Sequence, residues 1–459
     1  MSEIDILASW IESLTFEALP GAVIHAASRC ILDTVSAAAG ASGEPLLNAV
    51  RQEYLCLGIP SRNRRSSVWG TKESTTLFTA AFLNGMAGHY FELDDVHSES
   101  KTHIGTVIIP AAYAMAEQLG SSGKDLICAV VCGYETTARI GRAFGVVSHR
   151  SKGWHSTSTA GVFGAAAVCA KLLGLKQAEI ASALGMAGTQ AFGRWAFLEE
   201  GTSCKVLHAG RAAEIGCQSA VLAEKGMTGP HNILTAQDGG LLSGMSDSFD
   251  AGSAARDLGT VWEILNMDNK PYPCCRSTHC AIDAARAYYA EHNGSADNIS
   301  RILIETYEVG KKQCAESRGS LMPATKTEAK FSTPYVVACA LLEGNMGLAD
   351  LDEKMIRRRE AQILEEKVKV IATDLFSNEY PMHWGCKMTV FQKDGSIWEK
   401  VVPDASGGRD LPLTDRQLKE KSSHLLDRVA ELDVEALQKG IMDMIEYDVV
   451  PPFAAFFST

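Results

Sequence analysis

The chain has 459 residues, which is more than one hydrophobic core usually serves, so two domains are expected. Apolar residues make up 46% and charged residues 21%, the composition of an ordinary soluble globular protein. The net charge of −12 argues against a nucleic-acid partner, because phosphate binding depends on clustered lysine and arginine. An acidic small molecule would therefore need a local cationic pocket.

Targeting signals and cysteine usage point to the cytoplasm. No apolar run reaches the length of a membrane span, and the first ten residues lack the basic region of a signal peptide. The 13 cysteines are scattered, odd in number and never spaced C-x-x-C, so most of them are expected to be buried free thiols. Only the Cys274–Cys275 pair, beside Lys270 and His279, raises a functional question, and packing is the favoured explanation there too.

Apolar residues at helical spacing predict a series of helices in the first 225 residues. These cover Asp5–Leu14, Pro20–Ala39, Pro45–Tyr54, a pattern resuming at Ser74, then Ser122–Phe144, Ser158–Leu173, Gln177–Thr189 and Gly210–Lys225. A loop is predicted over residues 59–65 (IPSRNRR), followed by a short extended piece, SSVWG. Because alanine and glycine are abundant, the helices are expected to pack closely in a compact bundle.

The sequence pattern changes between Gly259 and Pro273, where β-branched residues begin to alternate. The strands predicted beyond it are Ile299–Val309, Val368–Ala372, Cys386–Gln392 and Ser396–Pro403, the last two as a hairpin with an Asp-Gly turn; the helices are Thr278–Tyr289, Phe331–Leu342, Thr414–Leu432 and Val434–Tyr447. We therefore expect a mainly α fold. A large all-helical domain, residues 1–266 and 408–459, would carry a smaller α+β lid domain, residues 267–407, inserted before the C-terminal helices. Ligand sites favour the cleft between such domains.

The stretch His89–Pro110 concentrates ionisable groups between two apolar helical segments. Its titratable residues are Glu92, Asp94, Asp95, His97, Glu99 and His103. An unpaired buried charge is costly, so the stretch must either reach solvent or line a polar cleft. The cleft is favoured because active sites gather titratable groups. The alternative is a solvated loop whose histidines cap helices.

Four later segments could supply the cationic side of such a cleft. They are Gly153–Thr159 with His155, Gly201–Arg211 with Lys205 and His208, Asn269–His279 with Lys270 and Arg276, and Glu328–Ser332 with Lys330. The first begins a helix, where free N–H groups hold carboxylates, although Ser156 or Thr157 could be a simple cap. Lys205 lies among apolar residues and is expected to need an anion. The last segment is expected to be structural.

The ordered set ELDDVHSESKTH, GWHSTST, KVLHAGRAA, KPYPCCRSTH and EAKFS resembles the MmgE/PrpD family. That family includes 2-methylcitrate dehydratase, cis-aconitate decarboxylase and iminodisuccinate epimerase. The resemblance runs over nearly the whole chain. It implies a large helical domain with a lid domain, a homodimer, and a reaction without metal or organic cofactor on a small di- or tricarboxylate.

The resemblance also implies roles for individual residues. It places catalytic residues at Glu92, His97, His103, His155, Lys205 and Lys270, and substrate-binding residues at Asp94, His208, Arg276 and His279. Many members have Asp where this chain has Glu92, and the role of His97 is the least secure because others have Thr or Trp thereabouts. This chain has HIGT at residues 103–106, where H-P-[SG] is frequent in the family, and the resemblance implies that this loop shapes the substrate pocket.

These residues predict proton transfer at a carbon next to a carboxylate. Elimination, decarboxylation with double-bond migration and epimerisation all pass through an enolate-like species, which fixed cations stabilise in a water-poor cleft. A cis-aconitate decarboxylase-like lyase is the leading hypothesis, and 2-methylcitrate dehydratase and an epimerase are the alternatives.

The sequence alone leaves open three hypotheses from other classes of protein. Asp94, Asp95 and Glu99 form the D-D-x-x-x-E pattern of isoprenoid synthases, although the second metal motif is missing. His97, His103 and His155 with an aspartate have the ligand types of a zinc hydrolase. A non-catalytic helical protein that binds carboxylates is the third, since fold does not fix function.

Overall fold

The computed structural model describes residues 1–57 and 65–458 and has the mainly α architecture expected. The predicted loop at 59–65 lies outside the described residues except for Arg65. No helix among the described residues combines the length and hydropathy needed to cross a bilayer.

Helices dominate the first 245 residues and return at the end of the chain. They are Glu3–Ser13, Gly21–Ala41, Pro45–Leu57, Leu77–Tyr90, Gly105–Leu119, Gly123–Ala143, Val146–Ser151, Ser156–Thr159, Gly161–Leu172, Gln177–Gly188, Lys205–Glu224, Leu241–Met245, Asp415–Leu426 and Val434–Met442. Single 3-10 turns lie at Phe16–Ala18, Trp195–Leu198, Ala251–Ala254, Glu263–Asn266, Met444–Glu446 and Phe453–Phe456. The boundaries follow local caps: Ser122, for example, accepts a hydrogen bond from the Asp125 amide in a capping box.

A four-stranded sheet forms the centre of the segment between Tyr272 and Ala405. Its strands, in spatial order, are Val368–Ala372, Ile299–Thr306, Cys386–Gln392 and Ile397–Val402; the first pair is parallel and the others are antiparallel. The α-helices of this segment are His279–Glu291, Glu308–Cys314, Arg318–Leu321, Lys326–Lys330, Thr333–Glu343, Glu353–Ile356, Arg359–Glu365 and Asp374–Ser377, with 3-10 turns at Arg276–Thr278 and Leu348–Leu351. The hairpin turns at Gly395, whose φ of +88° suits glycine.

Buried apolar side chains form two large clusters. The larger draws its residues from Ile4 to Met267 and from Leu418 to Phe456, so the C-terminal helices complete the helical core. The second gathers residues between Tyr272 and Ala405 around the sheet. The exact domain boundaries at 266/267 and 407/408 stay a prediction.

Two glycines set the spacing between the helices Leu77–Tyr90 and Lys205–Glu224. A Cβ added at Gly85 would lie 2.9 Å from the Cα of Gly210, and one at Gly210 would lie 2.5 Å from the carbonyl oxygen of Phe82. Any larger residue would push the helices apart. The close contact brings the end of the first helix, just before Glu92, next to Lys205 at the start of the second.

Several boundaries differ from the sequence prediction. The strand predicted over Ile299–Val309 ends at Thr306, and a helix begins at Glu308. The helix predicted over Thr414–Leu432 ends at Leu426. The pattern also missed the short helices between 308 and 377, because four to seven residues are too few to show a helical period. It also missed the pairing of Val96–His97 with Met267–Asp268, two short strands far apart in sequence.

Candidate active site

The acidic stretch after the helix Leu77–Tyr90 is buried rather than solvated. Asp94 and Asp95 are fully buried and Glu92 is 3% exposed, so the alternative of a solvated loop is wrong. Glu92 and Lys101 have φ values of +57° and +52°, in the left-handed region that non-glycine residues rarely adopt. Such backbone strain persists only where the surroundings impose it, and it concentrates at functional sites.

Glu92 lies between two buried lysines at the centre of the site. Lys205 donates a hydrogen bond to its carboxylate, and Lys270 Nζ lies 3.5 Å from Glu92 Oε2 and donates to the Glu92 carbonyl oxygen at 3.0 Å. Burial, with the Lys270 charge, holds the pKa of Lys205 well below its usual range, and burial also lowers the pKa of Lys270. One carboxylate thus serves two ammonium groups, which leaves capacity for another anion.

A third lysine lies beside this pair. Lys330, at the end of the helix Lys326–Lys330, donates to the carbonyl oxygen of Tyr90, and burial lowers its pKa to about 7. Its charge also helps to lower the pKa of Lys205. The expectation that this segment is only structural therefore missed a cation of the site, because Lys330 carries no signal of its pocket in the sequence.

Two histidines share the buried carboxylate of Asp94. His89 Nδ1 lies 2.6 Å from Asp94 Oδ2, and His103 Nδ1 lies 3.2 Å from the same oxygen. Burial alone would raise the pKa of Asp94, but the charges and hydrogen bonds of both histidines hold it well below its usual range. Asp94 is therefore an anion that orients both rings.

The tautomer of His103 follows from its main-chain partner. Nδ1 lies 3.0 Å from the carbonyl oxygen of Asp95, which only accepts, so Nδ1 carries the proton and Nε2 has the lone pair. The His103 side chain is 12% exposed, more than its neighbours His89 and Asp94, which are fully buried. Nε2 of His103 is thus the basic atom best placed to meet a bound molecule.

His155 and His208 continue the histidine cluster. Their Nδ1 atoms lie 2.9 Å apart, and the His155 ring stacks on His89 at 5.9 Å between centroids. Burial lowers the pKa of His155 well below its usual range and that of His208 to about 4, so both rings are neutral at pH 7. Phe197 lies against both rings, with centroids 6.2 and 6.1 Å away.

Three of the residues expected in the site have other partners. His97 pairs with Glu263 Oε2 at 3.3 Å and contacts Ser100 Oγ at 2.9 Å. Arg276 pairs with Asp268 at 2.9 Å and donates to the carbonyl oxygens of Ala405 and Ser406. His279 lies 3.2 Å from Arg276 and 3.3 Å from the Cys274 carbonyl oxygen. The other seven of the ten expected residues lie in one cluster, together with His89, which was not expected. The seven are Glu92, Asp94, His103, His155, Lys205, His208 and, through Glu92, Lys270.

His89 was missed because a histidine at the end of an apolar helix has the sequence signal of a core residue. Its Nε2 has no hydrogen-bond partner among the described residues, and neither has Asp94 Oδ1. Buried polar atoms without partners indicate that a bound molecule or water completes the site.

The three acids of the D-D-x-x-x-E pattern do not form a metal cluster. Asp95 accepts hydrogen bonds from the Tyr134 hydroxyl at 2.7 Å and the Gly105 amide at 2.8 Å. Glu99 pairs with Arg409 at 3.2 Å. The isoprenoid-synthase hypothesis is therefore wrong, because such a site needs all its carboxylates to face one set of ions.

His89, Asp94 and His103 do place one ligand atom each within 4.8 Å of one another. Such a trio has the donors of a zinc site. His97 and His155, which the zinc hypothesis requires, are not in this trio. The buried charge of Lys205 acts on His89, and that of Lys270 is close to Asp94. Ammonium groups this close favour an anion over a metal cation.

Comparison with known proteins identifies the family. Residues 5–253 match the MmgE/PrpD N-terminal domain and residues 272–446 match the MmgE/PrpD C-terminal domain. The chain therefore belongs to the MmgE/PrpD family, as its motifs indicated.

Similar proteins include cis-aconitate decarboxylases and a 2-methylcitrate dehydratase. The cis-aconitate decarboxylase-like protein oryM of Aspergillus oryzae is 29% identical, with 94% of this chain and 92% of the relative covered. Cis-aconitate decarboxylase of Aspergillus terreus is 26% identical over 96% and 91%. 2-Methylcitrate dehydratase of Salmonella typhimurium is 25% identical, but over only 51% of this chain and 50% of the relative.

Proposed function

We propose that this protein is a lyase that acts on a small tricarboxylate, most closely a cis-aconitate decarboxylase. The observation that carries the proposal is a basic histidine nitrogen, His103 Nε2, beside two buried ammonium groups, those of Lys205 and Lys270. The full-length similarity to proteins named cis-aconitate decarboxylase supports decarboxylation over dehydration, because the dehydratase match covers half the chain.

Substrate binding uses the excess cationic charge of the site. A carboxylate of the substrate pairs with Lys205 and Lys270 and shares them with Glu92. Because these groups are buried, the ion pairs form in a medium of low effective dielectric constant, where they are stronger than in water. Aromatic rings lie beside these groups: Lys205 Nζ lies 5.3 Å from the Phe331 ring centroid, which is 6.3 Å from that of Phe197.

The proposed reaction breaks one C–C bond, moves one double bond and adds one proton to carbon. The carboxylate on the methylene carbon of cis-aconitate leaves as CO2, and the electron pair of the broken C–C bond forms a new double bond. The electron pair of the old double bond moves to the carbon next to the other terminal carboxylate and takes up one proton. The products are CO2 and methylenesuccinate.

The cations and the histidine act at different atoms in this step. Negative charge grows on the terminal carboxylate that remains, so Lys205 and Lys270 stabilise the enolate-like transition state there. The basic Nε2 of His103 first takes up a proton from solvent and then delivers it to carbon, which returns the ring to its starting state. Asp94 lies behind its Nδ1 and balances the charge of the imidazolium.

Dehydration of 2-methylcitrate is the second candidate, since the same groups can remove a proton next to a carboxylate. A substrate panel separates the two: purified protein is incubated with cis-aconitate, with 2-methylcitrate, and with candidate dicarboxylates in deuterated water. The proposal expects CO2 release from cis-aconitate. A protein that binds tricarboxylates but turns over none of the panel would instead be a carboxylate-binding protein.

A further inference from the structure

A second buried cationic cluster lies beyond the catalytic group. Lys101 is 9% exposed, and its Nζ lies 5.9, 5.7 and 5.6 Å from the ring centroids of Trp195, Tyr380 and Trp384. The guanidinium carbon of Arg150 lies 4.2 Å from the Trp195 ring centroid. Two like charges therefore lie on one aromatic ring, which is unfavourable without an anion.

Neither cation has a carboxylate partner in the described part of the chain. Lys101 donates to the amide oxygen of Gln313 at 2.8 Å, and the groups whose charge favours its protonated form are the thiols of Cys275 and Cys314. Those that favour the protonated form of Arg150 are the same thiols and Tyr380. Burial, followed by the Arg150 charge, lowers the pKa of Lys101 to about 7. Buried cations are normally paired, so their isolation is informative.

Buried polar atoms around the cations also lack partners. Among the residues described, Arg150 Nε and the hydroxyls of Tyr307 and Tyr380 make no hydrogen bond. The two tyrosine rings stack at 4.7 Å, and Tyr380 and Arg150 are close enough to influence each other's ionisation. Donors without acceptors, next to two positive charges, are the features of a site that binds an oxyanion.

Two connections join this cluster to the proposed active site. Trp195, which contacts Lys101 and Arg150, also lies 5.2 Å from the His155 ring. Burial alone would raise the pKa of the Cys275 thiol, but its hydrogen bond with Cys314 and then the charges of Lys270 and Lys101 lower it. The Cys275 sulfur also accepts from Gln313 at 3.0 Å. The cationic cluster therefore adjoins the proposed active site through Trp195 and Cys275.

We propose that Lys101 and Arg150, with the Tyr380 hydroxyl, form a second carboxylate subsite that binds a carboxylate of the substrate remote from Lys205 and Lys270. The inference rests on the proposed function for its ligand. It makes Lys101 and Arg150 specificity residues, which select substrates with carboxylates at both ends. The left-handed backbone of Lys101 fits this role, because backbone strain concentrates at functional sites.

The test measures binding of an unreactive tricarboxylate, propane-1,2,3-tricarboxylate, by isothermal titration calorimetry. Lys101→Met and Arg150→Met should each weaken binding roughly 30-fold, the usual scale for losing one partner of a buried charge pair. Arg150→Lys should recover part of the affinity. Lys152→Met is the matched control, because Lys152 is near in sequence but pairs with Asp247 at 2.6 Å. This variant should bind the tricarboxylate with the affinity of the wild type.

Unchanged affinity in folded Lys101→Met and Arg150→Met proteins, with folding checked by circular dichroism, would overturn the inference. Binding of two tricarboxylate molecules per chain, one of them lost in the variants, would also overturn it, because the cluster would then hold a separate effector. If the wild type binds the tricarboxylate but turns over no substrate, the proposed reaction fails and the subsite stands. If cis-aconitate is decarboxylated with unchanged KM by both variants, the subsite fails and the reaction stands.

Discussion

Glu92 and Lys205 form an ion pair in which only 4% and 6% of the two side chains are exposed. Burying two charges is costly, so such a pair is retained only where its geometry is good or its function requires it. Lys270 shares the same carboxylate, which makes Glu92 the counter-ion that keeps both ammonium groups in place before substrate arrives. Charge balance by Glu92 can therefore be tested separately from proton transfer by His103.

Glu92→Gln should destabilise the free protein and make it more responsive to ligand. Two buried ammonium groups lose their shared counter-ion, at a cost of about 3 kcal/mol. Propane-1,2,3-tricarboxylate should then raise the melting temperature of the variant more than that of the wild type, as measured by differential scanning fluorimetry. Glu99→Gln, which affects a pair with Arg409 outside the lysine group, is the control. Equal ligand shifts in Glu92→Gln and wild type would contradict the role of Glu92.

His103→Ala should lower kcat by roughly 10² to 10⁴ and change KM much less, the pattern of a lost proton donor. The pH profile of kcat should lose or shift one limb in the same variant. His25→Ala, a change on the surface beside Asp415, should alter neither quantity. Near-normal turnover by His103→Ala would mean that the proton moves through another group of the cluster.

His97→Gln should reduce stability and leave kcat within about threefold of wild type. His97 and two arginines hold the pKa of Glu263 at about 2 against the opposing effect of burial, so the histidine belongs to a structural ion-pair network. Thermal unfolding and steady-state kinetics on the same sample separate the two effects. A loss of kcat as large as that of His103→Ala, with an unchanged melting temperature, would return His97 to the catalytic group.

His149 should make stability depend on pH in mildly acidic solution. Burial, with the nearby Arg150 charge, lowers its pKa to about 3, against about 6.5 in an unfolded chain. Because the folded pKa is depressed, its contribution is fully present above pH 6.5 and is lost as the pH falls toward 3. The expected slope is at most about 1.4 kcal/mol per pH unit. His149→Gln should flatten the fall in melting temperature between pH 7 and 5; parallel curves would contradict this.

Among the described residues, the sequence predicted the four strands that have five or more residues. Val368–Ala372 and Cys386–Gln392 match the observed strands residue for residue, because alternation over five or more residues is a strong signal. It failed for Val96–His97, whose partner strand Met267–Asp268 lies 170 residues away. Two-residue strands carry no pattern, and only tertiary packing decides their pairing.

The candidate site was predicted only in part, again because tertiary packing decides which side chains meet. Ordered motifs brought Glu92, Lys205 and Lys270 together as candidates, and the structure places them in contact. The motifs made the role of His97 less secure than that of His103, six residues further along the same loop. They did not reveal the different partners of the two histidines, because the fold sets those partners. Lys101 was not singled out either, because an exposed and an enclosed lysine look alike in sequence. The catalytic roles themselves stay predictions.

Decarboxylation of cis-aconitate with proton delivery to carbon can be followed directly in deuterated water. Purified protein is given cis-aconitate in deuterated water with excess chelator, and the product is followed by NMR. We expect methylenesuccinate with one deuterium on the carbon next to the terminal carboxylate, and a rate that His103→Ala lowers roughly 100-fold or more. Unchanged cis-aconitate in the presence of folded, tricarboxylate-binding protein would contradict the claim.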